Sequence, residues 1–191
     1  MFSELVRKAR SCRRFVQSDP IPLETLRQLV EMARVTPSGG NEQPLRYAIV
    51  HGPEACARVF PGLRWAARLQ GWNGPQEGER PTGYILILSS IEKGSPSIEV
   101  GIASQTIQLG AASLGYAACQ FGSVDRALVA KAIDLPAEWR INLVIALGRQ
   151  GETIVLEDVP ASGSRWYYRT PDGVHHVPKI RMEDILVCQA F

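Results

Sequence analysis

From Val100 to Val124 the chain carries no charged residue. A stretch of that length is about what a bilayer crossing needs, so it limits the available folds more than any other feature. Its interior argues against a membrane. Gln105, Gln108 and Gln120 interrupt it, together with several serines and glycines. A buried helix followed by a buried strand accommodates such a pattern. Val100, Ala103, Ile107, Gly110, Ala111 and Leu114 fall on one helical face, and Ile98, Ile102, Leu109 and Ala112 on another. A helix that is apolar on two faces must be covered on both. In a chain of 191 residues, the size of one domain, the second cover is expected to come from a partner subunit.

Other elements follow from periodicity and breakers. A short helix is predicted over Phe2 to Ala9. A second opens at Ile21-Pro22-Leu23, where proline suits a helix start. Its Leu26, Leu29, Val30 and Ala33 share one face, and it must end near Thr36-Pro37. Pro37 to Pro44 is a loop by composition. Arg46 to Val50 reads as a strand, and Pro53 opens a short helix. Pro61 to Thr82 is irregular and reads either as a flap over a site or as a surface excursion. Tyr84 to Leu88 is a continuous apolar run and reads as a central strand. Tyr116 to Phe121 is a short strand, Asp125 caps a helix running to Ile133, and Ile141 to Leu147 is a second buried strand. Thr170-Pro171-Asp172-Gly173 is a turn sequence between two flanking strands, which predicts a hairpin. Met182 to Val187 closes the chain as a short helix.

Composition excludes several classes. The net charge of +2 is too small for a dedicated nucleic-acid surface. The cysteines Cys12, Cys56, Cys119 and Cys188 form no CxxC pair, so free thiols in a reducing cytoplasm are expected rather than disulfides or zinc. The N-terminus lacks the apolar run of a signal peptide. His175 and His176 are adjacent on an expected strand and so point to opposite faces, and no metal site is expected. Neither GxGxxG nor a Walker A sequence is present.

What remains are polar loops beside buried elements. Arg10, Ser11, Arg13 and Arg14 follow the first helix. Two guanidiniums and a hydroxyl can neutralise and hydrogen-bond a phosphate dianion, although the same segment alone also reads as a solvated basic face. Lys179 and Arg181 would project the same way if their segment is extended, which again suits a phosphate.

Taken in order, these segments resemble one family. Arg10-Ser11-Cys12-Arg13-Arg14-Phe15 resembles the R-S-x-R-x-F opening of nitroreductases. Pro37 to Pro44 resembles their P-S-x-x-N-x-Q-P-W loop, and Glu99 to Gln105 the D-x-G-x-A-x-Q-N helix start. Leu114-Gly115 with Phe121-Gly122, and Ile145 to Gly148, resemble the two strand motifs that follow. Ala9, Leu45, Glu99 and Thr106 depart from the usual basic residue, tryptophan, aspartate and asparagine of those motifs.

The resemblance implies an α+β fold, with a mostly antiparallel central sheet surrounded by helices. It implies a single domain over 1–191, with a C-terminal extension or hairpin at about 157–191, in an intertwined homodimer. It also implies flavin mononucleotide (FMN) as cofactor. Arg10, Ser11 and Arg13 would contact the phosphate or the pyrimidine edge. Lys179 and Arg181 would take the C-terminal phosphate place. Phe121, Gly122 and Ser123 would line the reactive edge of the ring. Pro37, Ser38, Gly39 and Asn41, with Gln43 of the same loop, would reach the flavin of the other subunit. The implied activity passes hydride from NAD(P)H through flavin to an electron-poor acceptor such as a nitroaromatic or quinone, with no protein acid or base required. A specialised flavin-dependent dehydrogenase or dehalogenase of the same superfamily is one alternative, and a non-catalytic flavin-binding protein is another.

Overall fold

The apolar run at Tyr84–Leu88 sits at the centre of the molecule. In the computed structural model, which describes residues 1–92, 94 and 96–190, four strands form the main sheet. They are β1 (Arg46–His51), β2 (Gly83–Ser90), β3 (Ala117–Phe121) and β4 (Trp139–Gly148), in the order β1-β2-β4-β3 and antiparallel throughout. Side chains alternate across a strand, so Tyr84, Leu86 and Leu88 enter one core and Ile85 and Ile87 the other. The first core is closed by α3 (Pro53–Val59) and α5 (Arg126–Ala132). The second is closed by α2 (Leu23–Arg34) and α4 (Ser97–Ser113). With both faces covered, β2 is apolar throughout its middle rather than alternating. The Asp125 carboxylate accepts the Leu128 N–H at 3.0 Å, capping α5 as its sequence suggests.

The charge-free stretch becomes α4 and β3, joined at Gly115, whose φ of +79° demands glycine. Ala103, Ile107, Gly110 and Ala111 of α4 are buried. On its far side Ile98 is exposed, while Ile102, Leu109 and Ala112 are half-buried. Among the described residues no helix is long and apolar enough to cross a membrane. The approach of α2 to α4 is set by Gly110, where a Cβ would stand 2.7 Å from the Met32 sulfur and 2.9 Å from Leu29.

A second sheet was only half anticipated. β6 (Tyr168–Arg169) pairs antiparallel with β7 (His175–Ile180) across the expected turn at Thr170–Gly173. β5 (Ile154–Val159) pairs parallel with β7 and has no counterpart in the sequence reading. The expected extension boundary near 157 therefore falls inside a strand. The apolar run Ile154-Val155-Leu156 is short and gives way to Glu157-Asp158, so its periodicity carries little signal. The chain begins in α1 (Phe2–Lys8) and its last helical turn is α6 (Met182–Ile185).

Gly110→Val is expected to wedge α2 from α4 and lower unfolding stability by about 1–3 kcal/mol. Urea denaturation of the variant measures it.

Candidate functional site

The N-terminal segment after α1 is extended and threads between β3 and the chain leaving β4. Ser11 bridges Ala118 in parallel, and the Cys12 N–H donates to the Ala118 carbonyl at 3.0 Å. On the other side the Gly151 N–H donates to the Arg14 carbonyl at 2.8 Å. Extended backbone alternates its side chains. Cys12 therefore enters the core, while Ser11 and Arg13 share the opposite side. Phe15 also reaches the core, which strict alternation from Cys12 does not account for.

Ser11 and Arg13 face a cavity of about 380 Å³. Arg10 and Lys179 add two cations to its wall, and Gln105, Gln108 and Gln120 add amides. Two of the amides hold each other in place. Gln120 Nε2 donates to Gln108 Oε1 at 2.6 Å, and Gln108 Nε2 donates to the Ala9 carbonyl at 3.0 Å. Arg10 donates to the Val6 carbonyl at 2.6 Å, closing the C-terminal turn of α1. Burial lowers the Arg10 pKa, yet a guanidinium stays charged, so it is a partly desolvated cation.

The remaining wall comes from the second sheet. His175 is fully buried and lines the cavity with Tyr167 and Val177. Its Nε2 lies 2.9 Å from an Arg13 guanidinium nitrogen. Arginine only donates, so Nε2 accepts and the imidazole proton sits on Nδ1. Desolvation, then the charge of Arg13, pushes the His175 pKa down to about 4, so the ring is neutral near pH 7. The Arg13 guanidinium also lies 4.3 Å over the Tyr167 ring. Behind Arg13 is Glu152, whose carboxylate accepts the backbone N–H groups of Arg13 and Arg14 and pairs with Arg169 at 2.7 Å.

The donor set matches a ligand with an anionic head and further acceptor atoms. Arg10, Arg13 and Lys179 surround the cavity with positive charge, while Glu152 is turned back toward Arg169. Two residues lining it, Arg10 and His175, each carry a buried nitrogen without a partner (Nε and Nδ1). Such atoms are costly unless something supplies acceptors. Among the described residues no group of three or more His, Cys, Asp or Glu is placed to hold a metal. Cys12 and Cys119 are buried, and burial raises both thiols to about 12, so neither is a thiolate near neutrality.

The expected site residues separate into four places. Arg10, Ser11, Arg13 and Lys179 meet at the cavity. Arg181 does not join them. Its backbone is still extended, but it precedes α6, and its guanidinium is held by Asp184 at 3.0 Å and Glu183 at 3.3 Å from that helix. Pro37, Ser38 and Gln43 line a different hollow of about 360 Å³ with Glu99. In that loop the Gln43 N–H donates to Ser38 Oγ at 3.0 Å, the Gly39 N–H donates to Glu99 Oε1 at 3.3 Å, and Asn41 and Gln43 hold φ values of +56° and +47°. Left-handed backbone at Gln43 is strained and persists only where its surroundings impose it. Phe121 continues β3 beyond Gln120, packs edge-on against Trp65 at 4.6 Å, and leads to exposed Gly122 and Ser123. That contact, with Trp65 near Phe60 and Trp72, packs the Pro61–Thr82 segment onto the sheet.

Sequence reasoning missed Glu152, Tyr167 and His175. The paired histidines were a visible signal, but their meaning depends on which strand β7 meets.

The Nitroreductase family model matches residues 6–73 and 90–149. Protein DrgA of Synechocystis is 24% identical over 179 residues, covering 78% of this chain and 84% of the relative. Iodotyrosine deiodinase of Thermotoga neapolitana is 28% identical over 167 residues, covering 78% of this chain and 88% of the relative. Among solved structures, a nitroreductase family protein from Clostridium novyi superposes with a TM-score of 0.66 at 21% identity, covering 78% of this chain and 85% of that one. An FMN-dependent nitroreductase from Clostridium difficile gives 0.62 at 19% identity, covering 78% and 87%.

Because the imidazole is neutral in the fold and its pKa lies below the ordinary 6.5, the unfolded chain binds more protons between those values. Stability is therefore expected to fall as pH drops from about 6.5 toward 4. His175→Gln should flatten that part of the curve, read from urea midpoints at a series of pH values.

Proposed function

This chain belongs to the nitroreductase family, and on that premise we propose that it is an FMN-dependent oxidoreductase that passes hydride from NAD(P)H to an electron-poor acceptor such as a nitroaromatic or quinone. The observation that carries the reading is the cavity at Arg10, Ser11, Arg13 and Lys179. Its cations and its two unpartnered buried donors fit a phosphate and the acceptor-rich edge of a flavin. When bound, FMN would supply the hydride chemistry, which no side-chain dyad here provides.

The chain's own residues bind and orient. Arg10 and Lys179 neutralise the phosphate, and the Ser11 hydroxyl donates to it. Arg13 is less free than its place in the motif suggests, since His175 and Tyr167 already hold it. It acts chiefly as fixed positive charge. His175 Nδ1–H and the Gln105, Gln108 and Gln120 amides offer hydrogen bonds to oxygen or nitrogen acceptors. Phe121, Gly122 and Ser123 continue from the wall where Gln120 sits and would border the reacting edge. Pro37, Ser38 and Gln43 line a separate hollow, and Gly39 and Asn41 belong to the same loop. We assign them to the flavin of a second protomer, with the exposed side of α4 as part of a homodimer interface. The four free thiols favour a reducing compartment such as the cytoplasm.

Dehalogenation is the second reading, supported by the similarity to the Thermotoga deiodinase.

The purified protein is expected to be yellow, with about one FMN per chain, and to oxidise NADH or NADPH with a quinone acceptor. A colourless protein that also ignores added FMN would refute the assignment. Bound flavin without turnover would leave only a flavin-binding protein. In the double variant Arg10→Ala, Lys179→Ala, FMN affinity should drop roughly a hundredfold or more, from two lost charge-assisted hydrogen bonds. Arg181→Ala should leave it nearly unchanged. Fluorescence quenching of FMN on titration reads both.

A further inference from the structure

We propose that a second cavity, between α3, the segment leading into β2 and the start of β2 itself, is a separate small-molecule site for a neutral, compact aromatic compound carrying one hydrogen-bond-accepting oxygen. The inference does not depend on flavin binding. The two cavities lie on opposite faces of the sheet: α4 walls the first, and Cys56 of α3 with Tyr84 of β2 walls this one.

The cavity is about 650 Å³, within the size range of ordinary ligand sites. Its body is apolar, built from Phe60, Ala57, Pro81, Cys56 and the Tyr84 ring. Its rim is fixed in advance. Gln17 Oε1 accepts the Gly78 N–H at 2.9 Å and the Arg80 N–H at 3.1 Å, and Gln17 Nε2 donates to Glu77 at 2.6 Å. Glu77 in turn pairs with Arg80 at 2.7 Å. His51 Nε2 lies 3.1 Å from the Ile21 carbonyl, and Thr82 Oγ1 accepts the Ile21 N–H at 3.1 Å. The rim groups are thus occupied by one another.

Two lining groups are not. The Tyr84 hydroxyl and Arg80 Nε are buried and have no hydrogen-bond partner, and Tyr84 as a whole is fully buried. Buried polar atoms are nearly always satisfied, so two orphans on one cavity point to a partner that the chain itself does not supply. Arg80 Nε can only donate, and a phenol readily donates. The missing partner is therefore an acceptor. Charge selects among acceptors. Glu77 neutralises Arg80, and Glu54 adds a further carboxylate to the lining, so a carboxylate ligand would gain no net attraction. A carbonyl oxygen on an aromatic ring meets both the orphan donors and the apolar walls.

The test uses acetophenone, with toluene as the probe of the same body lacking an acceptor and benzoate as the anionic one. Each is titrated by calorimetry into the whole protein and into two variants. Tyr84→Phe keeps the ring and removes the orphan hydroxyl. Ala57→Trp, at an exposed helix position, fills the cavity. Acetophenone is expected to bind about fivefold tighter than toluene, the worth of one ordinary hydrogen bond, and tighter than benzoate. Tyr84→Phe should abolish the margin over toluene while leaving the thermal midpoint of the ligand-free protein equal or higher. Ala57→Trp should abolish binding of both, and excess FMN should not displace acetophenone. Equal affinity for acetophenone and toluene, a margin that survives in Tyr84→Phe, undiminished binding in Ala57→Trp, or displacement by FMN would each overturn the proposal.

Discussion

The carboxylate of Glu152 is almost wholly withdrawn from water, with a side-chain exposure of 1%. A lone buried carboxylate is prohibitively costly. This one is satisfied by the backbone N–H groups of Arg13 and Arg14 and by the Arg169 guanidinium. Those three partners come from the N-terminal segment and from the small second sheet. One ion therefore fixes the strand-like path of residues 10–15, which decides that Ser11 and Arg13 face the cavity and Cys12 does not. It also docks the β6–β7 hairpin, which brings His175 and Tyr167 onto Arg13. Removing the carboxylate would leave the two N–H groups and a guanidinium buried together, and that loss exceeds the worth of any single bond among them.

The helices and strands of the main sheet were legible because each is governed by a strong local rule. Leu26, Leu29 and Ala33 recur at helical spacing, Tyr84 to Leu88 form an unbroken apolar run, and Asp125 caps the helix it precedes. β5 was not legible. Its apolar residues are few, and its stability comes from parallel pairing with a strand about twenty residues later, a non-local contact with no local signature.

The site divides the same way. Arg10, Ser11 and Arg13 were read from an ordered motif and Lys179 from its pairing with Arg181, and the cavity gathers all four. Arg181 was assigned on the assumption of an extended segment, and its backbone is extended, but the carboxylates of the helical turn that follows capture the side chain. Glu152, Tyr167 and His175 were missed because each gains its role from a partner more than a hundred positions away or across the hairpin. Sequence spacing identifies residues that act beside their neighbours. It is silent on residues that act through tertiary contact.

The cavity's walls come from both ends of the chain, Arg10–Arg13 near the start and Tyr167–Lys179 near the finish. During synthesis the first wall leaves the ribosome long before the second exists. The Arg13 and Arg14 N–H groups must wait for Glu152, and Arg13 must wait longer still for His175. No ligand that requires both walls can therefore be held before β7 has been made and has reached the sheet. Without β7 the cavity would lack His175, Val177 and Lys179, and with them one of its walls.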